Sequence, residues 1–182
     1  TCAAYAAGKY AFVSDFARYK ILEEWGGIYF DTDVEMVAPI DDLLKLGAFM
    51  GIEFGMPVSV NPGLGFAFPA HHPFLEEMCD FYAQQSFSNG NGSNSQGIVV
   101  PGTTQRLVQH GLVRENRYQE VAGISLYPSE YFDPMDNATG RIKQTPNTRT
   151  IHRYDRTWST QKPLYIWFSR LWHRSWLFRL IK

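Results

Sequence analysis

Asp31 and Asp33, two carboxylates one residue apart, are the side chains of this sequence best suited to chemistry. They directly follow residues 28–30, an apolar run typical of a short buried strand, so both are expected at the end of a central strand or in the loop after it. Mg²⁺ and Mn²⁺ take oxygen ligands, often one or two carboxylates with phosphate oxygens and water. The pair therefore predicts a divalent-cation site that also holds a phosphorylated ligand. The tripeptide alone is a weak signal, because a solvated turn has the same residues.

A helix is predicted directly before this strand, from Ser14 to the Gly26-Gly27 pair. Ser14 has the residue type of an N-cap, and glycine commonly ends helices. Asp15 and Arg18 are three residues apart, so they share one face of this helix and can point together into a cleft. They can also form a simple ion pair on the helix surface. The apolar residues expected to face the core are Phe16, Tyr19, Ile21 and Leu22.

The rest of the chain predicts short elements separated by turns. Strands are expected over residues 34–37, 49–54, 65–68, 124–127 and 150–154, and helices over 41–46, from Pro73 onward and over about 103–109. Residues 10–13 fit either a buried strand or part of a helix. The Ser-, Asn- and Gly-rich residues 86–97 predict a surface loop, either an acceptor-side lid or a plain insertion.

Composition places the chain among globular proteins. Its 182 residues are 45% hydrophobic and 19% charged, which fits one domain of ordinary size. The 17 basic and 18 acidic residues give a net charge of -1, which argues against a surface built as a whole to bind nucleic acid. Cys2 and Cys79 are too few for a disulfide framework and lack zinc-site neighbours, so free thiols are expected. These residues contain no apolar run of about 18 residues and no signal-peptide pattern.

Residues 14–18, SDFAR, and residues 22–33, LEEWGGIYFDTD, together resemble one enzyme family in order and spacing. They are similar to DXD-containing sugar transferases of the glycosyltransferase family 32 type, which includes the yeast initiating α-1,6-mannosyltransferase and bacterial capsule enzymes. The glucosylating domains of large clostridial toxins are more distant relatives of that family. Weaker agreement extends over most of residues 12–158, including residues 39–43, Asn61, 69–74 and 150–152.

This resemblance implies a GT-A-type α/β fold, with a mixed central sheet flanked by helices. It also implies a nucleotide-diphosphate sugar donor that is held through Mn²⁺ or Mg²⁺. Asp33 would ligate the metal directly, and Asp31 would contact the donor ribose and the metal, directly or through water. His152 matches a late His that closes the metal shell or touches the diphosphate in many relatives, and a purely structural His is the alternative.

The other implied contacts are to the donor sugar. Asp15 and Arg18 match an SD-x-x-R element that binds the donor sugar and its phosphate. Gly27, Tyr29 and Asn61 are further expected donor contacts, although an Asn-Pro turn explains Asn61 equally well. Sugar transfer leaves negative charge on the departing diphosphate, so a metal at the two aspartates together with Arg18 would lower the barrier. The resemblance further implies retention of anomeric configuration and surface or capsular polysaccharide synthesis, with a glycan or lipid-linked glycan as acceptor.

The two ends of the chain lead to separate expectations. Family members normally carry a first strand and a base-recognising loop before the SD-x-x-R helix, and no such strand is evident before Ser14. Residues 1–160 are therefore interpreted as an N-terminally incomplete GT-A domain. Residues 161–182 form a basic, Trp-rich segment, which either lies in a membrane interface or covers the core or a partner subunit. A cytoplasmic bacterial protein is expected, and the membrane alternative, through residues 163–182, adds a peripheral position at the inner face of the membrane.

Two other functions stay open at the level of sequence. A haloacid-dehalogenase-like phosphatase also places Asp-x-Asp after an apolar strand, but a Thr or Val normally lies four residues after its first Asp, where this chain has Glu35. A non-catalytic nucleotide-sugar or sugar-binding module is the second alternative, because the region that recognises the nucleotide base is not evident in the chain.

Overall fold

The structure is a computed structural model, which describes residues 2–6, 8, 10–84 and 99–154 of the chain. The helices of this part are α1 (Cys2–Ala6), α2 (Tyr10–Trp25), α3 (Asp41–Leu44), α4 (Pro73–Gln84), α5 (Val99–Gln109) and α6 (Ser129–Phe132). The strands are β1 (Gly27–Tyr29), β2 (Val34–Met36), β3 (Phe49–Glu53), β4 (Ser59–Val60), β5 (Phe66–Phe68), β6 (Gln119–Val121), β7 (Ile124–Tyr127), β8 (Met135–Asp136), β9 (Arg141–Ile142) and β10 (Thr150–His152). A 3₁₀ turn spans Pro62–Leu64.

A mixed sheet forms the centre of the described part, as predicted. Its strand order is β1-β5-β3-β7-β6, and β4 pairs with β3. Strands β3 and β7 run parallel, whereas the other neighbours are antiparallel. Strands β2 and β10 form a separate antiparallel ladder, in which His152 lies opposite Val34. This ladder returns a late segment of the chain to the residues that follow β1.

Both faces of the central sheet are covered. Successive residues of a strand point to opposite faces. Met50 and Phe66 belong to a core shared with α2 and α4, whereas their neighbours Phe49 and Ala67 belong to a second core with α3 and α6. Because residues on both faces of β3, β5 and β7 are buried, these strands appear in the sequence as continuous apolar runs.

The helix before the two aspartates begins earlier than the sequence predicts. It starts at Tyr10, so Ser14 lies inside the helix and its predicted N-cap role is wrong. Residues 10–13 are helical because Phe12 is buried and packs edge-on against Tyr82 of α4, with ring centroids 5.7 Å apart. The predicted end of the helix before Gly26 is confirmed.

The strand before Asp31 is also placed differently. The sequence predicts a buried central strand, but β1 is the edge of the main sheet within the described residues and pairs there only with β5. Ile28 is consequently 42% exposed. Ile21, predicted to face the core, is likewise exposed on α2, whereas Tyr19 and Leu22 are buried as expected.

The remaining element predictions agree within a few residues. The helix at Pro73 and the strands at 49–54, 65–68, 124–127 and 150–154 are confirmed. Helix α5 begins at Val99 rather than near residue 103, because Pro101 lies in its first turn, where no N–H is needed for the helical hydrogen bonds. The predictions for residues 86–97 and 161–182 lie outside the described residues. Within the described ranges, none of the helices combines the length and apolar character needed to cross a membrane.

The turn between α2 and β1 requires a glycine, and we expect Gly26→Ala to destabilise the fold. Gly26 has a φ of +66°, and a Cβ there would lie 2.7 Å from the Ala70 nitrogen. The left-handed backbone costs a residue with a Cβ about 1–2 kcal/mol, and overpacking adds about 1–3 kcal/mol. Urea denaturation measures the sum. Gly123→Ala is the matched control, because its φ is +74° and, among the described residues, the atom nearest to its Cβ position is 3.9 Å away. Equal losses in the two variants would contradict the steric argument.

Candidate functional site

The two aspartates and His152 come together at one point of the structure. Asp31 and Asp33 lie in the turn between β1 and β2, and β10 pairs with β2 so that His152 lies beside that turn. The His152 Nε2 atom is 3.2 Å from Asp33 Oδ1 and 4.0 Å from Asp31 Oδ2. One ligand atom from each of the three residues lies within 4.8 Å of the others. The structure thus brings these three residues together, and their role as metal ligands stays a prediction.

This set of side chains fits a divalent cation. Two carboxylates supply the oxygen ligands that hard cations prefer, and an imidazole nitrogen adds a third ligand of a type that transition metals accept. His152 is only 6% exposed, and the side chains of Asp31 and Asp33 are 30% and 20% exposed. The site is thus sheltered on the histidine side and open to a ligand on the carboxylate side.

Arg18 connects the helix to this turn. Its Nη2 atom donates to Asp15 Oδ1 at 2.8 Å, and its Nη1 atom lies 3.1 Å from Asp31 Oδ1. The guanidinium also lies over the Tyr29 ring, 4.6 Å from its centroid, and the Tyr29 hydroxyl donates to Asp31 Oδ1 at 2.8 Å. Asp15 and Arg18 therefore share a helix face, as their spacing predicts. Their pair is buried rather than on the surface, since their side chains are only 10% and 6% exposed.

The protonation of this group follows from burial and charge. Burial raises the pKa of Asp15 to about 6, although the attraction of Arg18 opposes that rise. Burial alone would lower the pKa of Arg18, but Asp31 and Asp15 outweigh it, and the pKa ends above its usual value. Arg18 is therefore a permanent cation beside the candidate metal site, which suits an anionic ligand such as a diphosphate.

Asn61 lies in a turn that packs against Asp31. Its side chain accepts a hydrogen bond from the Gly63 nitrogen at 2.8 Å and caps the 3₁₀ turn. The Gly63 carbonyl accepts from the Asp31 nitrogen at 3.1 Å. A Cβ at Gly63 would overlap the Asp31 carboxylate. The turn-forming explanation of Asn61 is thus observed, and its predicted contact with a donor stays a prediction.

Gly27 carries no comparable contact. It begins β1 with a φ of +115°, and no atom of the described residues lies within 4 Å of the position that a Cβ would take. The open space is compatible with close approach of a ligand. Its predicted role at the donor stays a prediction.

Sequence reasoning missed three polar residues next to the site. Asp133 is fully buried, and its Oδ2 atom accepts from the Phe54 nitrogen at 2.7 Å and from the Tyr154 hydroxyl at 2.9 Å. The same hydroxyl, which has a single proton to donate, also lies 3.2 Å from Glu53 Oε1. Asp133 lies in residues 131–140, where the sequence predicts turns, and no local pattern there identifies it as a buried carboxylate. The nearest sequence signal is Tyr154, which lies two residues after His152.

The buried Asp133 predicts a pH-dependent stability. Burial raises its pKa to about 7, although hydrogen bonds from Phe54 and Tyr154 oppose that rise. An unfolded Asp releases its proton near pH 4, so between about pH 4 and pH 7 the folded chain holds a proton that the unfolded chain has lost. The free energy of unfolding therefore falls as pH rises through this window, by at most about 1.4 kcal/mol per pH unit.

We expect Asp133→Asn to remove this contribution. Urea denaturation at pH 5 and pH 8 should show a smaller difference for the variant than for the parent chain. Asp80→Asn, at an exposed position on α4, should leave the difference unchanged. An unchanged pH dependence in Asp133→Asn would contradict the raised pKa.

Comparison with known proteins bears on this geometry. Residues 3–49 match the family profile described as "Glycosyltransferase sugar-binding region containing DXD motif". This stretch contains Asp15, Arg18, Asp31 and Asp33. A second match is to an uncharacterized glycosyltransferase, L373, of Acanthamoeba polyphaga mimivirus, which is 30% identical over 129 residues. Together, the two matches support a relationship to DXD-containing glycosyltransferases.

The second match is partial. It covers 70% of this chain and 48% of the viral protein, so the chain spans about half the length of the curated relative it matches. No solved structure is significantly similar to the chain. The mixed α/β architecture is compatible with a GT-A-like fold. The family profile, which matches residues 3–49, thus covers the DXD turn and the helix before it.

Proposed function

We propose that this chain is part of a metal-dependent glycosyltransferase that transfers a sugar from a nucleotide-diphosphate donor. The observation that carries the proposal is the convergence of Asp31, Asp33 and His152 within 4.8 Å, beside the buried cation of Arg18. A cation bound by the first three residues would neutralise charge on a donor diphosphate. The family 32 type and a retaining reaction are the finer parts of the proposal, and they rest on the resemblance described above.

The proposed roles follow the positions of the side chains. Asp33 and His152 would hold Mn²⁺ or Mg²⁺, and Asp31 would share in that role while it accepts from Arg18 and Tyr29. Arg18 would bind a phosphate oxygen, because its guanidinium is always charged and has more N–H groups than its contacts with Asp15 and Asp31 use. Asp15 would orient Arg18 and contact the donor sugar.

The acceptor and the cellular setting are also proposals. The acceptor would be a glycan or a lipid-linked glycan, used in surface or capsular polysaccharide synthesis. A peripheral position at the inner face of a bacterial membrane would suit such an acceptor, with residues 163–182 as the contact. Liposome binding of the chain with and without residues 163–182 tests that position, and equal binding of the two would overturn it.

Donor turnover tests the central proposal. The full-length protein is incubated with a panel of nucleotide-diphosphate sugars, with Mn²⁺, Mg²⁺ or EDTA, and the release of nucleoside diphosphate is followed. Release that requires a divalent cation and is specific to one or two donors is the expected result. Donor binding without release would favour a non-catalytic module, and phosphate release from simple phosphomonoesters would favour the phosphatase. Either result would overturn the transferase.

A further inference from the structure

Tyr154 joins the candidate metal site to two carboxylates, those of the buried Asp133 and the partly exposed Glu53. Its hydroxyl lies 2.9 Å from Asp133 Oδ2 and 3.2 Å from Glu53 Oε1. Its ring meets the His152 imidazole in a T-shaped arrangement with centroids 4.1 Å apart. One side chain therefore contacts both the proposed metal ligand and the two carboxylates behind it.

The backbone at Tyr154 is bent to make this contact. Tyr154 has a φ of +53°, a left-handed conformation that is unfavourable for a residue with a Cβ. Strand β10 ends at His152, and the left-handed conformation at Tyr154 departs from the extended backbone of a strand. The contacts of the Tyr154 hydroxyl with Asp133 and Glu53 stabilise this conformation.

The orientation of His152 needs such a neighbour. In metal sites, the second nitrogen of a ligating His usually donates to a carboxylate or carbonyl, and this hydrogen bond fixes the ring. Here Nε2 faces Asp33 at 3.2 Å, while the buried Nδ1 atom has no hydrogen-bond partner within the described part of the chain. Among these residues, packing against the Tyr154 ring restrains the imidazole plane together with the Asp33 contact at Nε2.

The polar network behind Tyr154 reaches the other side of the site. Glu53 Oε1 also accepts from the Asn61 side-chain nitrogen at 3.4 Å, and Asn61 caps the turn that packs against Asp31. Both sides of the DXD turn are thus connected through Glu53 and Tyr154. A displacement of Tyr154 would change the packing of His152 directly, whereas it would reach Asp31 only through Glu53 and Asn61.

We propose that Tyr154 is a positioning residue for His152, with its ring setting the imidazole plane and its hydroxyl anchored by Asp133 and Glu53. The inference rests on the proposed function in so far as it takes His152 to be a ligand of a divalent cation. It adds that the ligand geometry depends on a residue two positions later, through packing rather than through an outer hydrogen bond.

Binding of Mn²⁺ alone, without any donor, tests this role. The full chain is titrated with Mn²⁺ and followed by electron paramagnetic resonance, and the modulation from a coordinated imidazole nitrogen is recorded. Loss of outer groups at metal sites typically costs about 10–100-fold in affinity, and we expect that range for Tyr154→Leu. Tyr154→Phe keeps the ring and loses the anchor, so a smaller loss and weaker nitrogen modulation are expected.

A double-variant cycle separates positioning from a general effect on the fold. If Tyr154 acts through His152, then His152→Ala with Tyr154→Leu should bind Mn²⁺ no more weakly than His152→Ala alone. Tyr118→Phe is the matched control, because it removes a 3.2 Å hydroxyl contact with Ser125 beside β6 and should leave Mn²⁺ binding unchanged. Circular dichroism confirms folding, and Tyr154→Phe serves if the Leu variant does not fold.

The outcomes distinguish the two proposals. Mn²⁺ binding that depends on His152 but is the same in the Tyr154 variants would overturn the positioning role and leave the proposed metal site intact. Additive losses in the double variant would also overturn it, because Tyr154 would then act independently of His152. A parent chain that does not bind Mn²⁺ would overturn the metal site itself, and the inference with it.

Discussion

Asp33→Asn is expected to reduce cation-dependent donor cleavage by about 10³-fold, which corresponds to about 4 kcal/mol of transition-state stabilisation. The substitution keeps the size of the side chain but removes its charge. His152 Nε2 then loses its nearest carboxylate, 3.2 Å away, and Asp31 is left as the single carboxylate of the three-residue set. Both the affinity for the cation and its alignment with a diphosphate should suffer.

The measurement is nucleoside diphosphate release across a range of Mn²⁺ concentrations. Excess Mn²⁺ should restore part of the activity, because the remaining oxygen of the amide is still a weak ligand. Asp80→Asn, on the exposed side of α4, controls for the loss of one negative charge. Full activity of Asp33→Asn at low Mn²⁺ would remove Asp33 from the proposed metal site.

Arg18→Met should affect both stability and turnover. Arg18 is 6% exposed and separates two carboxylates, those of Asp15 and Asp31. Removing one partner of a buried ion pair typically costs about 3–5 kcal/mol, because the remaining charge is left uncompensated. Loss of one group that stabilises developing charge typically lowers kcat by about 10²-fold to 10³-fold.

Two further variants serve as comparisons for Arg18→Met. Arg18→Lys keeps the charge but cannot reach both carboxylates as a planar fork does, so an intermediate effect on unfolding free energy and on kcat is expected. Arg117→Met removes an exposed pair with Glu115, whose side chains are 57% and 60% exposed, and should cost less than about 1 kcal/mol. Equal losses in Arg18→Met and Arg117→Met would show that the buried pair is not a structural anchor.

The candidate site was predictable where its residues are close in sequence. Asp15 and Arg18 share a face because a helix places residues three apart side by side. Asp31 and Asp33 fall in a turn because an apolar run ends just before them. The contact of Arg18 with Asp31 could not be predicted in this way, because it depends on the direction in which the chain leaves α2 at Gly26 and enters β1.

Local pattern failed where tertiary packing decides. Ser14 has the residue type of an N-cap, yet the helix continues four residues further back because Phe12 finds a buried place against α4. Residues 28–30 are apolar like a central strand, yet β1 is an edge strand within the described residues. An apolar run indicates that at least one face of the strand is buried. It does not indicate how many strands pair with it.

By itself, the sequence determined the carboxylate turn, the helix that presents Asp15 and Arg18, and the resemblance that links them to sugar transfer. These features depend on local geometry and short spacing. Only the tertiary structure decided that His152 reaches Asp33, that Arg18 lies buried between two carboxylates, and that Tyr154, Asp133 and Glu53 stand behind the site. The physical reason is distance along the chain: more than 100 residues separate Asp33 from His152, and only the pairing of β10 with β2 brings them together.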